Sequence, residues 1–441
     1  MVLRSSLVSA VTALLVGLSN STASGQASCF HPAVNYPVGS HTYSISAGDL
    51  DGDGDEDVVV ANNNSHTISV LKNRGDGTFD SPVDYGTALP VFVAIADLDG
   101  DGDQDLAVGN DSNGHLSIFM NVGNATFAES STYNVSAGST AAVDLDGDGD
   151  HDLAATAFPG TVAVLMNHGN GTFAPPVSYA VGSGATSIAA ADLNGDFDFD
   201  LAVTDWNSNY ISVLENIGGG IFATAINYNV GNYPWALVAA DLNGDGDQDV
   251  AVTTEGGAGV AILMNVGDGT FAPAVHYAGG YGFKACLAAD MDRDGDQDLA
   301  VTGGGSQVWI YENTGHGALA LTGKFAAGSY PFAISAADLD GDADQDLAVA
   351  DWEGGLVSLL FNCNCNCLRQ GDHTGDGLID VFDVISEIGI AFSGEPDSQD
   401  DGCPTTRGDC NNNGVTDVFD VIYLIEHAFN GGPAPADPCA L

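Results

Sequence analysis

Along most of the chain, short apolar runs alternate with clusters of Asp, Asn and Gly. Segments such as "TISVLKN" at 67–73 and "DLAVT" at 200–204 are rich in β-branched residues and stop at turn residues, a pattern that predicts many short strands. The phrase "IADLDGDGDQDLAV" at 95–108 places a carboxylate at every second position from Asp97 to Asp105, directly before such a strand. Equivalent phrases begin at Asp49, Asp97, Asp144, Asp192, Asp241, Asp290 and Asp338, at spacings of 48, 47, 48, 49, 49 and 48 residues. So tight a period marks one supersecondary unit repeated. Each unit reads as an Ala-rich strand ("VAIADL"), the acidic loop, a second strand ("DLAV"), a third ("LSIFMN"), a turn ("GNATF") and a fourth strand around "STYNV". Four strands per unit describe a propeller blade, so the expected fold is all-β, a seven-bladed β-propeller.

The turn phrase suggests how the ring closes. It reads "NRGDGTF" from Asn73, "NVGNATF" from Asn121, "NHGNGTF" from Asn167 and "NVGDGTF" from Asn265, whereas the seventh unit reaches Asn362 and breaks into "CNCNC". Blade seven therefore lacks a fourth strand of its own. "FHPAVNY" at 30–36 matches "FAPAVHY" at 271–277, so residues 30–38 are expected to supply it. Cys29 would then pair with one of Cys363, Cys365 and Cys367. Such a bond stabilises by roughly 4 to 5 kcal/mol in the chain-entropy model, before strain is subtracted. A thiolate metal site in "CNCNC" is the rival reading, disfavoured in an exported chain. Cys286, among alanines in "FKACLAAD", reads as a small core residue.

Composition narrows the partners. The chain has 60 acidic and 8 basic residues, a net charge of -52, yet 44% apolar residues, too many for a disordered acidic polymer. That charge disfavours nucleic acid and anionic membrane surfaces. Arg4, the apolar run from Leu7 to Leu18 and the following "SGQA" read as a secretory signal over residues 1–27. No other segment approaches the ~20 apolar residues of a transmembrane segment. The expected location is secreted or cell-surface.

The acidic loops carry candidate chemistry. In the first, Asp49, Asp51, Asp53 and Asp57 take positions 1, 3, 5 and 9, with Gly54 at position 6. Oxygen ligands two residues apart on a tight loop converge, and the glycine permits the turn. The same pattern holds in Asp97, Asp99, Asp101 and Asp105; in Asp144, Asp146, Asp148 and Asp152; in Asp241, Asn243, Asp245 and Asp249; and in Asp290, Asp292, Asp294 and Asp298. Loop four (Asp192, Asn194, Asp196, Asp200) has Phe197 at position 6, and loop seven (Asp338, Asp340, Asp342, Asp346) has Ala343 there. These two are expected to be weak or empty sites, because a side chain at positive φ is costly. All-oxygen donors without His or Cys suit Ca2+, several ions per chain.

Through these loops, residues 30–362 resemble the FG-GAP or VCBS repeats of integrin-alpha-type propellers. The resemblance implies calcium loops on one face and a ligand face opposite, built from the loops between strands two and three and between blades. Those loops carry Trp206, Tyr233, Tyr281, Tyr330 and Trp352, which either meet a glycan or surface protein or pack between blades. The tripeptide Arg74-Gly75-Asp76 lies in the repeated turn, where only the arginine is unusual, and reads as coincidence.

After a Cys-rich linker at 363–369, a second duplication fills residues 370–441. Asp372, Thr374, Asp376, Asp380 and Asp383 occupy positions 1, 3, 5, 9 and 12 of a loop running into a helical pattern, and Asp409, Asn411, Asn413, Asp417 and Asp420 repeat it. Asp at position 12 makes this region similar to the dockerin family, a small α-helical domain with paired calcium loops. The resemblance implies a cohesin-like partner met through Val381, Phe382, Val418 and Phe419. The basic residues common later in dockerin helices are missing. Cys403, Cys410 and Cys439 surround the module, with pairing left open.

The leading expectation is an exported, non-catalytic, calcium-binding adhesion or glycan-binding module, displayed or assembled through its tail. The alternative is a polysaccharide-degrading, lyase-like propeller in a cohesin–dockerin complex; against it, the sequence lacks a nucleophile motif, a His-based metal cluster and grouped basic residues. A purely structural envelope component is a third option. His151, His168, His276 and His316 share no pattern and carry no assigned role.

Overall fold

The computed structural model describes residues 29–110, 114–257, 259–303 and 305–363. The expected leader at 1–27 and the expected dockerin-like region at 370–441, with its candidate ligands and partner residues, lie outside the described residues.

Among the described residues, twenty-eight strands form seven four-stranded antiparallel sheets, the seven blades expected from the period. Blade two is representative: Pro90–Ala96, Asp105–Asn110, His115–Asn121 and Phe127–Tyr133 pair in order from the axis outward. The second strand is fully buried in every blade, as in "DVVVAN" at Asp57–Asn62, whereas the short outermost strands such as Val83–Gly86 are largely exposed. A run without polar alternation fits a strand covered on both faces by neighbouring blades.

The core is divided among the seams. Leu50, Val59, Ile68 and Val70 of blade one pack against Val93, Leu106, Val108 and Phe119 of blade two, and equivalent clusters fill the other seams. Each buried aliphatic contributes about 1.5–3 kcal/mol relative to exposure, so the seams rather than single blades hold the ring. An aromatic pair recurs at their outer edge: Tyr85 meets Phe127 edge-on at 5.6 Å, and Tyr179 meets Phe222 at 5.3 Å. Ala236, Ala285 and Ala333 are among the residues lining the axis, where seven innermost strands come together.

Closure follows the expected route. Val34–Pro37 pairs antiparallel with Leu356–Leu360 as the outermost strand of blade seven, and Phe30 bridges Asn362. Cys29 and Cys363 form a disulfide with Cα atoms 5.2 Å apart, closing a separation of 334 residues. Cys286 lies in the innermost strand Cys286–Ala289, packs half-buried against the seam core between blades five and six and also lines the central channel, and burial pushes its thiol up to about 12.

Candidate functional site

The acidic loops join strands one and two on one face of the ring, and the Asn-led turns between strands three and four lie beside them. Within each loop the aspartates first order the backbone. In loop one, the Gly52 and Gly54 amides donate to the two oxygens of Asp49 at 2.7 and 3.1 Å, and the Asp55 amide donates to Asp53 at 3.0 Å. Position 6 takes positive φ throughout, 97° at Gly54 and 94° at Gly102. Phe197 and Ala343 adopt the same turn at φ 73° and 68°, and their amides reach Asp192 and Asp338 at 3.0 and 2.9 Å. The missing glycines therefore strain loops four and seven without unfolding them.

Position 9 is buried in all seven loops and does double duty. Asp57 accepts the Leu50 amide at 3.1 Å and the Asn73 amide at 2.7 Å. Burial, the largest cause, raises Asp57 and Asp298 to about 7, Asp346 to about 8, and Asp105, Asp152, Asp200 and Asp249 to about 6. Asp292 is raised to about 8 by burial and by the nearby charges of Asp298 and Asp294. Each carboxylate oxygen keeps a second lone pair, so accepting an amide does not bar it from a cation.

These side chains can hold metal ions. Ligand oxygens of Asp49, Asp51 and Asp53 lie within 4.8 Å of one another, as do those of Asp97, Asp99 and Asp101; of Asp144, Asp146 and Asp152; of Asp290, Asp292 and Asp294; and of Asp338, Asp340 and Asp346. Oxygens sharing one calcium at roughly 2.3–2.6 Å stand at most about 5 Å apart, so the spacing fits. Oδ1 of Asp51 is buried without a hydrogen-bond partner, a condition that a cation relieves. Loop seven gathers three carboxylates despite Ala343, whereas loops four and five offer Asn194 and Asn243 at position 3.

Two features of this face escaped sequence reasoning. The turn asparagine clasps neighbouring loops: Nδ2 of Asn121 donates to the Leu50 carbonyl of the preceding blade at 2.7 Å and to Gln104 at 3.1 Å. Asn73, Asn167, Asn216, Asn265, Asn313 and Asn362 repeat this, so a hydrogen-bonded ring ties each acidic loop to the next. The asparagine was visible in every turn phrase; its partner, 69 to 72 residues earlier in six blades and Leu339 across the ring closure for Asn73, was not. Built-in cations are the second feature: Lys72 Nζ lies 3.2 Å from Asp51, and Arg293 pairs with Asp344 and donates to the Asp342 carbonyl at 3.0 Å. His151 meets the Asp97 carbonyl at 3.1 Å. Asp76 of the Arg-Gly-Asp stretch caps Thr78, and Arg74 pairs with Asp80, which fits the reading of that tripeptide as turn chemistry.

The opposite face carries an arc of aromatic rings. It runs from Tyr233 to Trp206 (5.3 Å), Trp235 (6.4 Å), Phe332 (6.1 Å) and Tyr330 (6.5 Å), then to Trp352 (5.6 Å) and His41 (4.4 Å, stacked). Of the five expected aromatics, Trp206, Tyr233, Tyr330 and Trp352 belong to this arc. Tyr281, 79% exposed, stands apart over the Gly257 backbone. His41, Tyr43, Trp235 and Phe332 were missed.

A model of the FG-GAP-like repeat matches six times, at 49–108, 97–155, 144–203, 198–252, 241–301 and 290–349. The chain belongs to the FG-GAP-like repeat family. None of the curated proteins matches it. Among solved structures, this FG-GAP propeller is similar to BBS1N in complex with ARL6DN, with a TM-score of 0.56 and 15% identity over 76% of this chain and 98% of that one. It is also similar to a streptogramin B lyase (TM-score 0.53, 13% identity, 76% and 98% covered). Virginiamycin B lyase from Staphylococcus aureus gives a TM-score of 0.53 at 12% identity, with 75% and 99% covered. At such identities the likeness is one of fold. No helix among the described residues is long and apolar enough to cross a membrane.

Proposed function

We propose that this protein is an exported, calcium-stabilised, non-catalytic propeller that binds a glycan or a surface protein through its aromatic face. Residues 370–441 would serve as a dockerin-like attachment to a cohesin-like domain. The observation that carries the reading is the division of labour between faces. Oxygen donors recur in every blade on one side, as a structural role requires, while the exposed aromatics gather on part of the other, as a specific binding surface requires.

Calcium, when bound, supplies positive charge to carboxylates that otherwise repel one another. The residues that would hold it are positions 1, 3, 5 and 9 of each loop, and the loop backbone is already turned for them. The test has two arms. Calorimetric titration of the mature chain with calcium should reveal several sites, and a screen against glycans and extracellular proteins should yield a ligand whose binding is weakened by Trp206→Ala or Trp352→Ala. Turnover of an acidic polysaccharide, insensitive to those substitutions, would favour the lyase-like alternative.

A further inference from the structure

The residue six positions before the first loop aspartate has the same place in all seven blades: Tyr43, Val91, Gly138, Thr186, Trp235, Lys284 and Phe332. All of them line one cavity of about 460 Å³ at the end of the central channel away from the acidic loops. That volume falls within the roughly 300–1,000 Å³ of small-molecule sites. The ring is lopsided. At this position blades five, six, seven and one contribute Trp235, Lys284, Phe332 and Tyr43, whereas blades two to four contribute Val91, Gly138 and Thr186, with Phe92 and Ile188 also lining that side.

Lys284 is 8% exposed, a burial that an ammonium tolerates only with partners. It pairs with Glu255, and its Nζ lies 3.7 Å above the Trp235 ring. The other oxygen of Glu255 accepts the Trp206 indole N–H at 3.0 Å. Tyr43 and Phe332 meet edge-on at 5.0 Å, and Trp235 meets Phe332 at 6.1 Å, so the rings hold one another in place. The opposite wall offers Ser139, Thr186 and Ser187.

We propose that this channel mouth is a subsite for one ring of a neutral glycan, a proposal that rests on the binding-module reading and names its ligand. The lysine is already neutralised by Glu255, so an anion gains no free cation there and meets the repulsion of a chain of net charge -52. A cation finds no carboxylate among the lining residues, and Glu255 beside them is already engaged by Lys284 and the Trp206 indole. A sugar ring matches both walls, because its C–H face packs on the aromatics while its hydroxyls meet the hydroxyl-bearing side.

The experiment follows tryptophan fluorescence and calorimetry of the full chain in calcium, titrated with cellobiose, maltose and lactose, with polygalacturonate and a mixed peptide library as comparators. A neutral sugar should saturate one site. Trp235→Ala should weaken it at least tenfold, Val91→Trp should abolish it by filling the far wall, and Tyr281→Ala should leave it unchanged. Should Trp235→Ala fail to fold, Val91→Trp alone decides. Sugar binding that survives Val91→Trp overturns the channel site while leaving the binding-module reading intact. Saturation by the polyanion or by peptides alone, or by none of the probes, overturns the sugar assignment.

Discussion

The two faces of the propeller grow from the same repeat, yet one is nearly invariant around the ring and the other is not. Position 9 is an aspartate in all seven acidic loops, and the turn asparagine recurs in all seven blades. On the opposite rim, the equivalent residue changes from Gly138 to Trp235 to Lys284. A role that every seam shares, binding a blade to its neighbour, holds the residue constant. A role performed once per molecule leaves most copies free to vary, which is the pattern the proposed binding face would require.

Calcium removal tests this contrast most strongly. Extracellular calcium modules bind at roughly 0.1–1 mM, so 10 mM calcium stabilises by roughly 1.4–2.7 kcal/mol per occupied site. With several sites, chelator should lower the thermal midpoint by roughly 10 °C or more. Trp206→Ala and Tyr281→Ala, on the other face, should leave the calcium dependence unaltered. An unchanged midpoint in chelator would remove the structural role of the acidic face. Next in size is the clasp. Asn265→Ala orphans the carbonyls of Leu193 and Gln248, now bonded at 2.7 and 3.0 Å. The expected cost is about 3 kcal/mol, read by denaturant unfolding, and calcium affinity should fall with it because adjacent loops are uncoupled.

The regular face was legible because its information is local. Ligand spacing, the position-6 glycine and the period all lie within one repeat, and the closing strand was betrayed by "FHPAVNY". What could not be read depends on which blades become neighbours across the axis. Trp235, Lys284 and Phe332 are about 49 residues apart in sequence, and only the packing of three successive blades around the axis brings Lys284 over one indole and 5.7 Å from the phenylalanine ring. The strain at Phe197 and Ala343 was legible from their place at position 6, but that the turn forms regardless was not. Their amides still reach the first aspartate, so the network of hydrogen bonds outweighs one unfavourable φ at each site.

A smaller effect separates the faces by pH. Asp205 lies at the aromatic end of its strand, buried, with Ser212 donating at 2.6 Å and its other oxygen unpartnered. Burial raises it to about 6. Because the folded value lies above the unfolded one, its contribution to stability is fully present below about pH 4 and is lost as pH rises through about 6. Blades one and two carry Asn62 and Asn110 at this position, donating to Ser69 and Ser117. Asp205→Asn should therefore be about 2–3 kcal/mol more stable than the parent at pH 8 and nearly equal at pH 4, compared by denaturant midpoints. A constant difference across that range would mean that Asp205 is not the titrating group.

The smallest expected change concerns the one place where the regular face behaves like the irregular one. Phe197 sits at φ 73°, where five of the other loops have glycine, and its ring is 92% exposed. It therefore receives the strain of a left-handed residue without the compensation of burial. Phe197→Gly should raise stability by about 1 kcal/mol, because relief of that strain outweighs the added freedom of the unfolded chain. Calcium saturation of loop four is expected to strengthen slightly, read by calorimetry. A loss of stability would mean that the phenylalanine makes contacts that offset its backbone, and loop four would then belong with the aromatic rim as a place of specialised packing. A gain confirms that the acidic face tolerates a departure from its pattern because six other loops and the asparagine ring hold the turn in place.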